Sequence, residues 1–584
     1  MIGLEPLRQR LAREDALVPL AVLGLLAGAI TGAVIIAFRL AVELPHLAVP
    51  GMTSHEDFES LDPVYRFALP VLGGLAVGLL FTTMAVGARQ VGVVHVMERL
   101  AFHAGRMPWR NALLQFLGGA LAIITGHSVG REGPVIHVGA ASASLLGQWL
   151  RLPNNSIRVL VACGVAAGIA ASFNTPLAGV IFAMEVVMME YTLLGFTPVI
   201  LAAVAATSLS YAVHGGAPAF AVPQMQLASL WELPYFLLVG ALLGTLASAF
   251  ITGVQFLDVR ARRFPLWIRT TTAGVVVGLC GLASPAVLGI GYDTVGMTLL
   301  GEAGLGFLAA LVVWKLIASV ACIGLGVPGG LIGPTLVMGA AAGGALGLVG
   351  HQLAPELSAT SPFYAVLGMG AMMGATLQAP LAALMAIMEL TANPGSILPG
   401  MTVIVTATLT TRVLFRRSSI FIAILQGRGV ELRPDPVALA LSRTGVRAAM
   451  SRRFVTAPAQ AGTEDLERLA RHDPEWMLVA RDGDLVGVLD TRQKGPGALP
   501  APADGDEQPK LDLQALAATG FASVRSQATL REALDVLDRE GVDVVLVTAA
   551  ATRDPGGVLG VLSRDQIEAA VRYGGWSRAA GRSV

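Results

Sequence analysis

The sequence predicts an all-α polytopic membrane domain, built as an inverted repeat with broken helices, followed by a small α/β cytoplasmic domain pair. Composition is the first reason, because 54% of the 584 residues are apolar and 14% are charged, whereas a soluble domain carries about 25% charged residues. Charge distribution is the second reason, since 42 of the 40 + 40 charged residues lie in residues 428–584. An internal repeat is the third. A lipid bilayer is therefore expected around residues 1–427.

The overall charge balance limits the classes of partner. Lys and Arg together number 40, as do Asp and Glu, so no basic surplus argues for a nucleic-acid partner. The three cysteines and nine histidines lack pairing or metal-ligand spacing, so we predict neither a disulfide scaffold nor a metal site. The chain contains no Gly-Lys-Ser/Thr phosphate loop, which argues against ATP-driven pumping. We predict no catalytic residues.

Several apolar stretches are candidate membrane spans. Leu17–Leu40, Phe67–Gly87 and Tyr235–Phe256 are each near the ~20 residues that a helical crossing needs. Other stretches are bounded by Gly, Pro or Asn and are expected to fall short of a crossing: Val159–Ala171, Leu177–Met188, Thr335–Leu348 and Leu381–Met388. Broken helices at membrane depth are tolerated where they line a wet cavity, so these breaks predict a solute path. The alternative is a set of kinked helices packed through small residues.

Basic residues flank several of the spans and predict the orientation of the chain. They are Arg8, Arg10, Arg13, Arg260, Arg262, Arg263, Arg269, Arg412, Arg416 and Arg417. By the positive-inside bias these flanks face the cytoplasm, so both termini are expected there. The amino terminus runs into the first span without a small-residue cleavage site, so we predict no signal peptide. The expected location is a bacterial-type inner membrane, crossed many times.

The membrane domain contains an internal repeat. Gly164–Val186 and Gly368–Leu390 are identical at 8 of 23 positions without gaps, and each follows a glycine-proline break, at Gly130–Pro134 and Gly329–Pro334. We interpret the domain as a duplication whose halves span about residues 17–215 and 230–427. Two such halves commonly pack with inverted topology around a midplane site made of half-helix ends.

The two glycine-proline breaks are candidate anion sites. The glycines of GREGP let the backbone bend and expose amides, and its proline suits the first turn of a helix predicted from Val135 onward. A helix amino terminus offers unpaired N–H groups and roughly half a positive charge. The second break, GVPGGLIGP, repeats the device with the amides of Leu331 and Ile332. Two such ends that converge would bind an anion without a lysine, whose full charge would be costly at the midplane.

Glu132, inside the first break, is the candidate gate. An ionisable residue at membrane depth is expensive and is a functional candidate by default. A carboxylate at a helix amino terminus can occupy the position of the anion, and protonation would release it. The alternative is that Glu132 pairs with the neighbouring Arg131.

Five motifs in fixed order resemble the CLC family of chloride channels and transporters: GREGP, FNTPLAGVIFAME, PAVLGIGY, GVPGGLIGP and IFIAIL. The resemblance runs from about Leu17 to Gly427. It implies a homodimer with one chloride pathway in each subunit, Glu132 as the external gate, and a central anion held by the Leu331 and Ile332 amides. The residues expected at the anion site are Gly130, Arg131, Glu132, Gly133, Leu331, Ile332, Phe421, Val91 and Gly92.

The sequence departs from the family pattern at three places. Val91 and Val94 stand beside Gly92 where the first anion-binding loop of the family has Ser and Pro. Phe421 stands where the family usually has a Tyr whose hydroxyl touches the central ion. The inner proton-relay glutamate of the antiporter branch falls at Val186. We therefore expect anion flux that is passive or weakly coupled to protons; the alternatives are a chloride/proton antiporter and a relative that prefers fluoride or nitrate.

Residues 428–584 read as two βα-type units, at about 440–494 and 511–573, joined by a Pro/Gly/acidic linker. Predicted strands and one helix are Trp476–Ala480, Leu485–Leu489, Leu530–Glu540 (the helix), Val544–Thr548 and Val558–Leu562. The endings GVLDTRQ and GVLSRDQIEAA resemble the close of a CBS domain, and tandem CBS domains often follow CLC membrane domains.

CBS modules often bind adenine nucleotides through a Ser or Thr and an Asp three residues later. Ser563 and Asp565 are the candidates here, but they are two residues apart. We therefore favour a structural or dimer-stabilising pair without a cofactor. A membrane-anchored nucleotide-sensing CBS protein is the alternative from another functional class.

Overall fold

The computed structural model describes residues 5–13, 16–47, 57–220, 222, 225–432, 436–462, 468–469, 471–492, 511–517, 520–549 and 555–573. The chain divides into two compact units. The membrane unit comprises Leu20–Gln148 and Arg158–Leu432, and the tail unit comprises Met1–Pro19, Trp149–Ile157 and Arg433–Val584. Composition divides a chain only along its length, so it predicted a boundary near Gly427 and could not assign the two short early segments to the tail unit. The predicted linker, residues 495–509, lies outside the described residues.

The chain up to residue 432 is helical throughout the part that the structure describes. The helices of the first half are α1 (Glu5–Leu11), α2 (Leu17–Leu47), α3 (Pro63–Thr82), α4 (Gly92–Phe102), α5 (Trp109–Ile124), α6 (Glu132–Trp149), α7 (Asn154–Phe173), α8 (Pro176–Phe182) and α9 (Leu193–His214). Those of the second half are α10 (Leu233–Ala261), α11 (Leu266–Ala283), α12 (Tyr292–Leu299), α13 (Leu305–Leu325), α14 (Ile332–Leu353), α15 (Ser361–Leu377), α16 (Pro380–Thr391), α17 (Ile397–Leu409) and α18 (Ile420–Gly427). Single π-helical turns continue α8 at Ala183–Met188 and α17 at Thr410–Leu414.

Among the described residues, nine helices are long and apolar enough to cross a membrane. The three full-length spans predicted from the sequence are confirmed as α2, α3 and α10. Two of the four predicted half-spans are wrong, because α7 has 20 residues and α14 has 22. The apolar count stopped at polar or glycine residues through which the helical backbone continues. The prediction of short helices is confirmed for α8 and α16, which have 7 and 12 residues.

The duplication is visible in how consecutive helices approach each other. A Cβ built on Gly139 of α6 would overlap the carbonyl oxygen of Gly164 in α7, and a Cβ on Gly164 would overlap that of Gly139. In the second half, Gly339 of α14 and Gly368 of α15 stand in the same reciprocal relation. Equivalent glycines thus allow the same close backbone contact in each half, which is how small residues bring membrane helices together.

The tail unit contains the small α/β part of the fold. After α19 (Pro436–Arg443) and α20 (Val446–Ala449), its strands are β1 (Phe454–Pro458), β2 (Gln460–Ala461), β3 (Trp476–Arg481), β4 (Asp484–Asp490), β5 (Leu511–Asp512), β6 (Phe521–Arg525), β7 (Val544–Thr548) and β8 (Val558–Ser563). Its later helices are α21 (Leu513–Leu516), α22 (Leu530–Glu540) and α23 (Arg564–Tyr573). The four predicted strands and the predicted helix are confirmed as β3, β4, β7, β8 and α22, while β1 and β6 were not predicted.

Two three-stranded sheets in the tail unit have the same topology. In one, β1 runs parallel to β3 and β3 antiparallel to β4; in the other, β6 runs parallel to β7 and β7 antiparallel to β8. A shared apolar cluster joins them, with Trp476 and Leu478 of the first sheet packed with Val544 and Leu546 of the second. The tail is therefore a pair of similar modules that bury their strands together.

Candidate functional site

The two glycine-proline breaks meet in the membrane unit. Gly130 donates its N–H to the carbonyl of Gly330 at 2.8 Å, and Gly330 returns a bond to Gly130 at 2.6 Å. Helix α6 begins at Glu132 and α14 at Ile332, immediately after this bridge. The predicted start of α6 at Val135 is therefore wrong by three residues, because Glu132 and Gly133 already belong to the first turn. Two helix amino termini converge here, and each exposes N–H groups that favour an anion.

The carboxylate of Glu132 lies at this junction. The residue is 2% exposed. Its Oε1 accepts a hydrogen bond from the Tyr292 hydroxyl at 3.0 Å, and the backbone N–H groups of Glu132 and Gly333 lie close to the carboxylate. Its Oε2 has no hydrogen-bond partner among the described residues. A buried carboxylate oxygen without a donor is unusual, because an unpaired buried acceptor costs free energy.

Glycines make room for this carboxylate. A Cβ built on Gly130 or on Gly330 would overlap Oε2 of Glu132, and one on Gly333 would lie 3.1 Å from Oε1. Any side chain at the first two positions would occupy the volume that the carboxylate takes. The glycines of both breaks therefore form a cradle for a small anionic group.

A cavity of about 570 Å³ reaches the same point. Seven of the residues predicted for the anion site line it: Val91, Gly92, Glu132, Gly133, Leu331, Ile332 and Phe421. Gly130 contributes instead through the bridge to Gly330. Neither Val91 nor Phe421 carries a hydroxyl, so these two side chains offer no donor to an anion.

Arg131, the ninth predicted residue, points to aromatic rings. Its guanidinium lies 4.7 Å from the ring centre of Phe173 and 5.6 Å from that of Tyr292. No ion pair joins Arg131 and Glu132 in the described part of the chain. The geometry thus gives no support to the alternative in which Glu132 serves only as the partner of Arg131.

The lining of the cavity is positively charged. Its charged residues are Arg89, Arg262, Arg269, Arg428, Asp258 and Glu132, four basic against two acidic. Asp258 forms an ion pair with Arg262 and lies 3.8 Å from Arg269. A cleft with a basic surplus raises the local concentration of anions.

The position of the missing proton relay offers no titratable group. Val186 is 5% exposed and lies in the π turn after α8, away from the lining of the cavity. Beside it, Glu185 accepts N–H bonds from Leu381 at 3.3 Å and Ala382 at 2.7 Å, at the start of α16. The carboxylate of Glu185 therefore caps a helix of the other half.

Glu389 repeats this arrangement in reverse. It accepts N–H bonds from Leu177 at 2.9 Å and Ala178 at 2.7 Å, at the start of α8. Each copy of the repeat thus caps the short helix of the other copy. The two glutamates occupy equivalent positions in the repeat and make equivalent contacts.

Sequence reasoning assigned no role to Tyr292 or Lys315. Tyr292 ends the PAVLGIGY motif, and its contact with Glu132 spans 160 residues. Lys315 is fully buried in α13, and a lone lysine within an apolar span was a signal available in the sequence. Two buried histidines, His95 of α4 and His137 of α6, have ring nitrogens 2.9 Å apart.

The candidate nucleotide residues lie at the start of α23. The Ser563 hydroxyl accepts the N–H of Gln566 at 3.3 Å, and the Gln566 side chain accepts the N–H of Ser563 at 2.9 Å. This reciprocal pair is a capping box. Asp565 lies in the first turn of the same helix, where a negative charge is favourable. Both residues thus have local structural roles.

Comparison with known proteins gives consistent results for the membrane unit. The family described as voltage gated chloride channel matches residues 73–412. A putative chloride channel protein ClcB-like of Ralstonia nicotianae is 33% identical over 395 residues, which cover 64% of this chain and 88% of that protein. The H(+)/Cl(-) exchange transporter ClcA of Vibrio cholerae is 35% identical over 300 residues, covering 50% of this chain and 64% of the relative.

The fold of the chain also resembles solved structures. A eukaryotic CLC transporter matches with a TM-score of 0.59 at 18% identity, covering 94% of this chain and 97% of the other. At this identity the likeness concerns the fold. The matched region covers 94% of this chain, which is more than the helical residues up to 432. The likeness therefore extends beyond the membrane unit.

Proposed function

Because the chain belongs to the voltage gated chloride channel family, we propose that it moves chloride through the cavity that ends at Glu132, with the Glu132 carboxylate as gate. We propose further that this flux is passive or weakly coupled to protons. The observation that carries the proposal is the position of the carboxylate, between two helix amino termini and with one oxygen unpartnered. A negative group of similar size could take its place.

In this mechanism the carboxylate and the anion compete for one site. While Glu132 is ionised, it fills the glycine cradle and faces the N–H groups that an anion needs. Protonation removes the charge that those groups stabilise, so the carboxyl leaves and an anion enters. The amides of Leu331 and Ile332 then hold the central anion without a full positive charge, so exit stays fast.

The proposed weak coupling of anion flux to protons follows from the lack of a titratable relay at Val186. A proton needs a titratable relay or a water wire to reach Glu132, because a bare charge in hydrocarbon is prohibitive. Val186 supplies no relay, and the oxygens of Glu185 already accept backbone N–H groups. The alternative is a chloride/proton or fluoride/proton antiporter, favoured by the 35% identity to a protein named as an H(+)/Cl(-) exchange transporter.

For the tail we propose tandem CBS domains that serve a structural or dimer-stabilising role. The support is the matching topology of the two sheets and the apolar cluster they share. We also propose a homodimer in a bacterial inner membrane, with both termini cytoplasmic. A nucleotide sensor remains the alternative for the tail; titration of the full chain with AMP and ATP by calorimetry would support it if heat is released at micromolar nucleotide.

The test of the gate is anion efflux from proteoliposomes as a function of pH. Glu132→Gln mimics the protonated carboxyl, so flux should persist and lose its pH dependence. The control is Glu302→Gln, since Glu302 is an exposed carboxylate and its loss should leave the profile of the wild-type protein. A Glu132→Gln variant that keeps the wild-type pH profile would overturn the assignment.

The test of coupling uses a chloride gradient without a proton gradient. Internal pH should change little while chloride moves, because the relay position lacks a carboxylate. Robust uphill proton movement that Glu132→Gln abolishes would instead establish the antiporter alternative. Replacing chloride with fluoride in the same assay distinguishes the two antiporter variants.

A further inference from the structure

Tyr292 is the side chain that holds the Glu132 carboxylate. Its hydroxyl donates to Oε1 at 3.0 Å, and it belongs to α12, 160 residues along the chain from Glu132. We propose that Tyr292 is a positioning residue that stabilises the ionised carboxylate in the anion position and thereby sets the pH at which the gate opens. The inference rests on the proposed gating role of Glu132.

Aromatic neighbours fix the orientation of the Tyr292 ring. Phe220 meets it edge-on with ring centres 5.5 Å apart and planes at 81°, and Phe173 approaches at 6.3 Å and 65°. The guanidinium of Arg131 lies 5.6 Å from the centre of the ring. These edge-to-face contacts pack the ring on two sides, in a position from which its hydroxyl reaches the carboxylate.

The backbone that carries Tyr292 is also held in place. Gly291, the residue before α12, has a φ of +87°, a conformation that favours glycine. The Nζ of Lys315 donates to the carbonyls of Val287 and Gly289 at 3.0 Å each, and to that of Ile290 at 3.3 Å. A fully buried ammonium thus fastens the segment that ends at Tyr292, which makes the hydroxyl a rigid donor.

Few other charged side chains act on the Glu132 carboxylate. Among the described residues, the titratable or charged side chains that act on the Glu132 carboxylate are Tyr292, from α12, and Arg131, from the break itself. Two backbone N–H groups also face the carboxylate, that of Glu132 itself and that of Gly333 in α14. The phenol O–H is the one side-chain donor bonded to the carboxylate in the described part of the chain, and a bond to an ionised acceptor is about twice as strong as a neutral one.

The consequence is a bias toward the closed state. The hydrogen bond favours ionised Glu132 over its protonated form, so it keeps the gate closed down to a lower pH than the cradle alone would. A purely packing role for Tyr292 makes a different prediction, because phenylalanine would then serve equally well.

The experiment is the pH profile of anion efflux from proteoliposomes that contain the full-chain Tyr292→Phe variant. The pH of half-maximal flux should rise by about one unit, a tenfold change in proton concentration, because a hydrogen bond to a charged group is lost. The matched control is Tyr364→Phe. Tyr364 also donates to a buried glutamate, Glu232, at 3.0 Å, but neither lines the cavity, so its profile should match the wild-type protein.

Two further arms make the outcome decisive. If Glu132→Gln retains pH dependence, the proposed function fails whatever Tyr292→Phe does. If Glu132→Gln loses pH dependence while Tyr292→Phe overlays the wild-type profile, the positioning role of Tyr292 is wrong. Should Tyr292→Phe fail to fold, Phe220→Leu loosens the same ring and should shift the profile in the same direction by a smaller amount; an unshifted profile there would overturn the inference.

Discussion

The surroundings of Glu132 differ from those of Glu185 and Glu389, although all three carboxylates meet helix amino termini inside the membrane unit. Glu185 and Glu389 each accept two backbone N–H groups from the helix that starts in the opposite half. Glu132 accepts a phenol hydroxyl at one oxygen, has an unpartnered second oxygen, and borders the large cavity. The same chemical group therefore caps a helix in one region, whereas in the other, under the gating role proposed for Glu132, it exchanges with an anion.

This difference indicates what the proposed gating role requires of a carboxylate. A helix amino terminus attracts negative charge wherever it occurs, so that attraction alone does not separate the two regions. The separation comes from the unpartnered oxygen of Glu132 and from the cavity that its carboxylate borders. Glycines at 130 and 330 provide that volume around Glu132.

The largest effect is expected where the carboxylate is a cap. Glu389→Ala should destabilise the membrane unit by about 3 kcal/mol, because two backbone N–H groups lose a charged acceptor. Thermal unfolding in detergent measures this loss, and the pH dependence of anion flux in the surviving protein should be unchanged.

Glu185→Ala is the matched partner of that variant, since the two caps are reciprocal. It should lose a comparable amount of stability. A variant of either residue that unfolds like the wild-type protein, or that alters the pH profile, would contradict the division between caps and gate.

A smaller effect is expected from filling the cradle of the gate. Gly130→Ala puts a methyl group where Oε2 of Glu132 lies, so the carboxylate should be displaced and flux at high pH should rise several-fold. The control is Gly296→Ala, because a Cβ at Gly296 meets nothing within 4 Å. If flux through the Gly130→Ala variant at high pH stays as low as in the wild-type protein, the carboxylate does not need this volume.

Local sequence features predicted much of this structure. The breaks, the repeat and the strands of the tail depend on glycine, proline and apolar patterns that act within a few residues of each other. The repeat also places Glu185 and Glu389 at equivalent positions, which agrees with their equivalent caps. The lengths of the membrane helices were less predictable. Helix α7 includes Asn154 and Ser156, whose polar side chains are buried.

Contacts between distant segments could not be read from the sequence. The bridge between Gly130 and Gly330 joins residues 200 positions apart, and the bond from Tyr292 to Glu132 spans 160. One sequence carries no signal for such pairs, because neither residue type nor spacing identifies the partner. The roles of Lys315 and of the cradle also depend on this packing.

The smallest effect is expected at the central anion. Phe421 lines the cavity without a polar atom, so Phe421→Tyr should add one hydrogen-bond donor worth about 1 kcal/mol. Chloride affinity measured by calorimetry should rise about fivefold, since 1.4 kcal/mol corresponds to about tenfold. Phe421→Leu serves as the control and should not raise the affinity. An unchanged affinity in the tyrosine variant would mean that the ring does not face the ion.

The exchange of carboxylate for anion can be observed directly by crystallography with bromide. Crystals of Glu132→Gln grown in bromide should give an anomalous peak within the cradle of Gly130, Gly330 and Gly333, where the wild-type protein holds its carboxylate. Crystals of the wild-type protein at high pH should lack this peak. A cradle without bromide in the variant, with anomalous peaks confined to the arginine-lined part of the cavity, would contradict the competition between Glu132 and the anion.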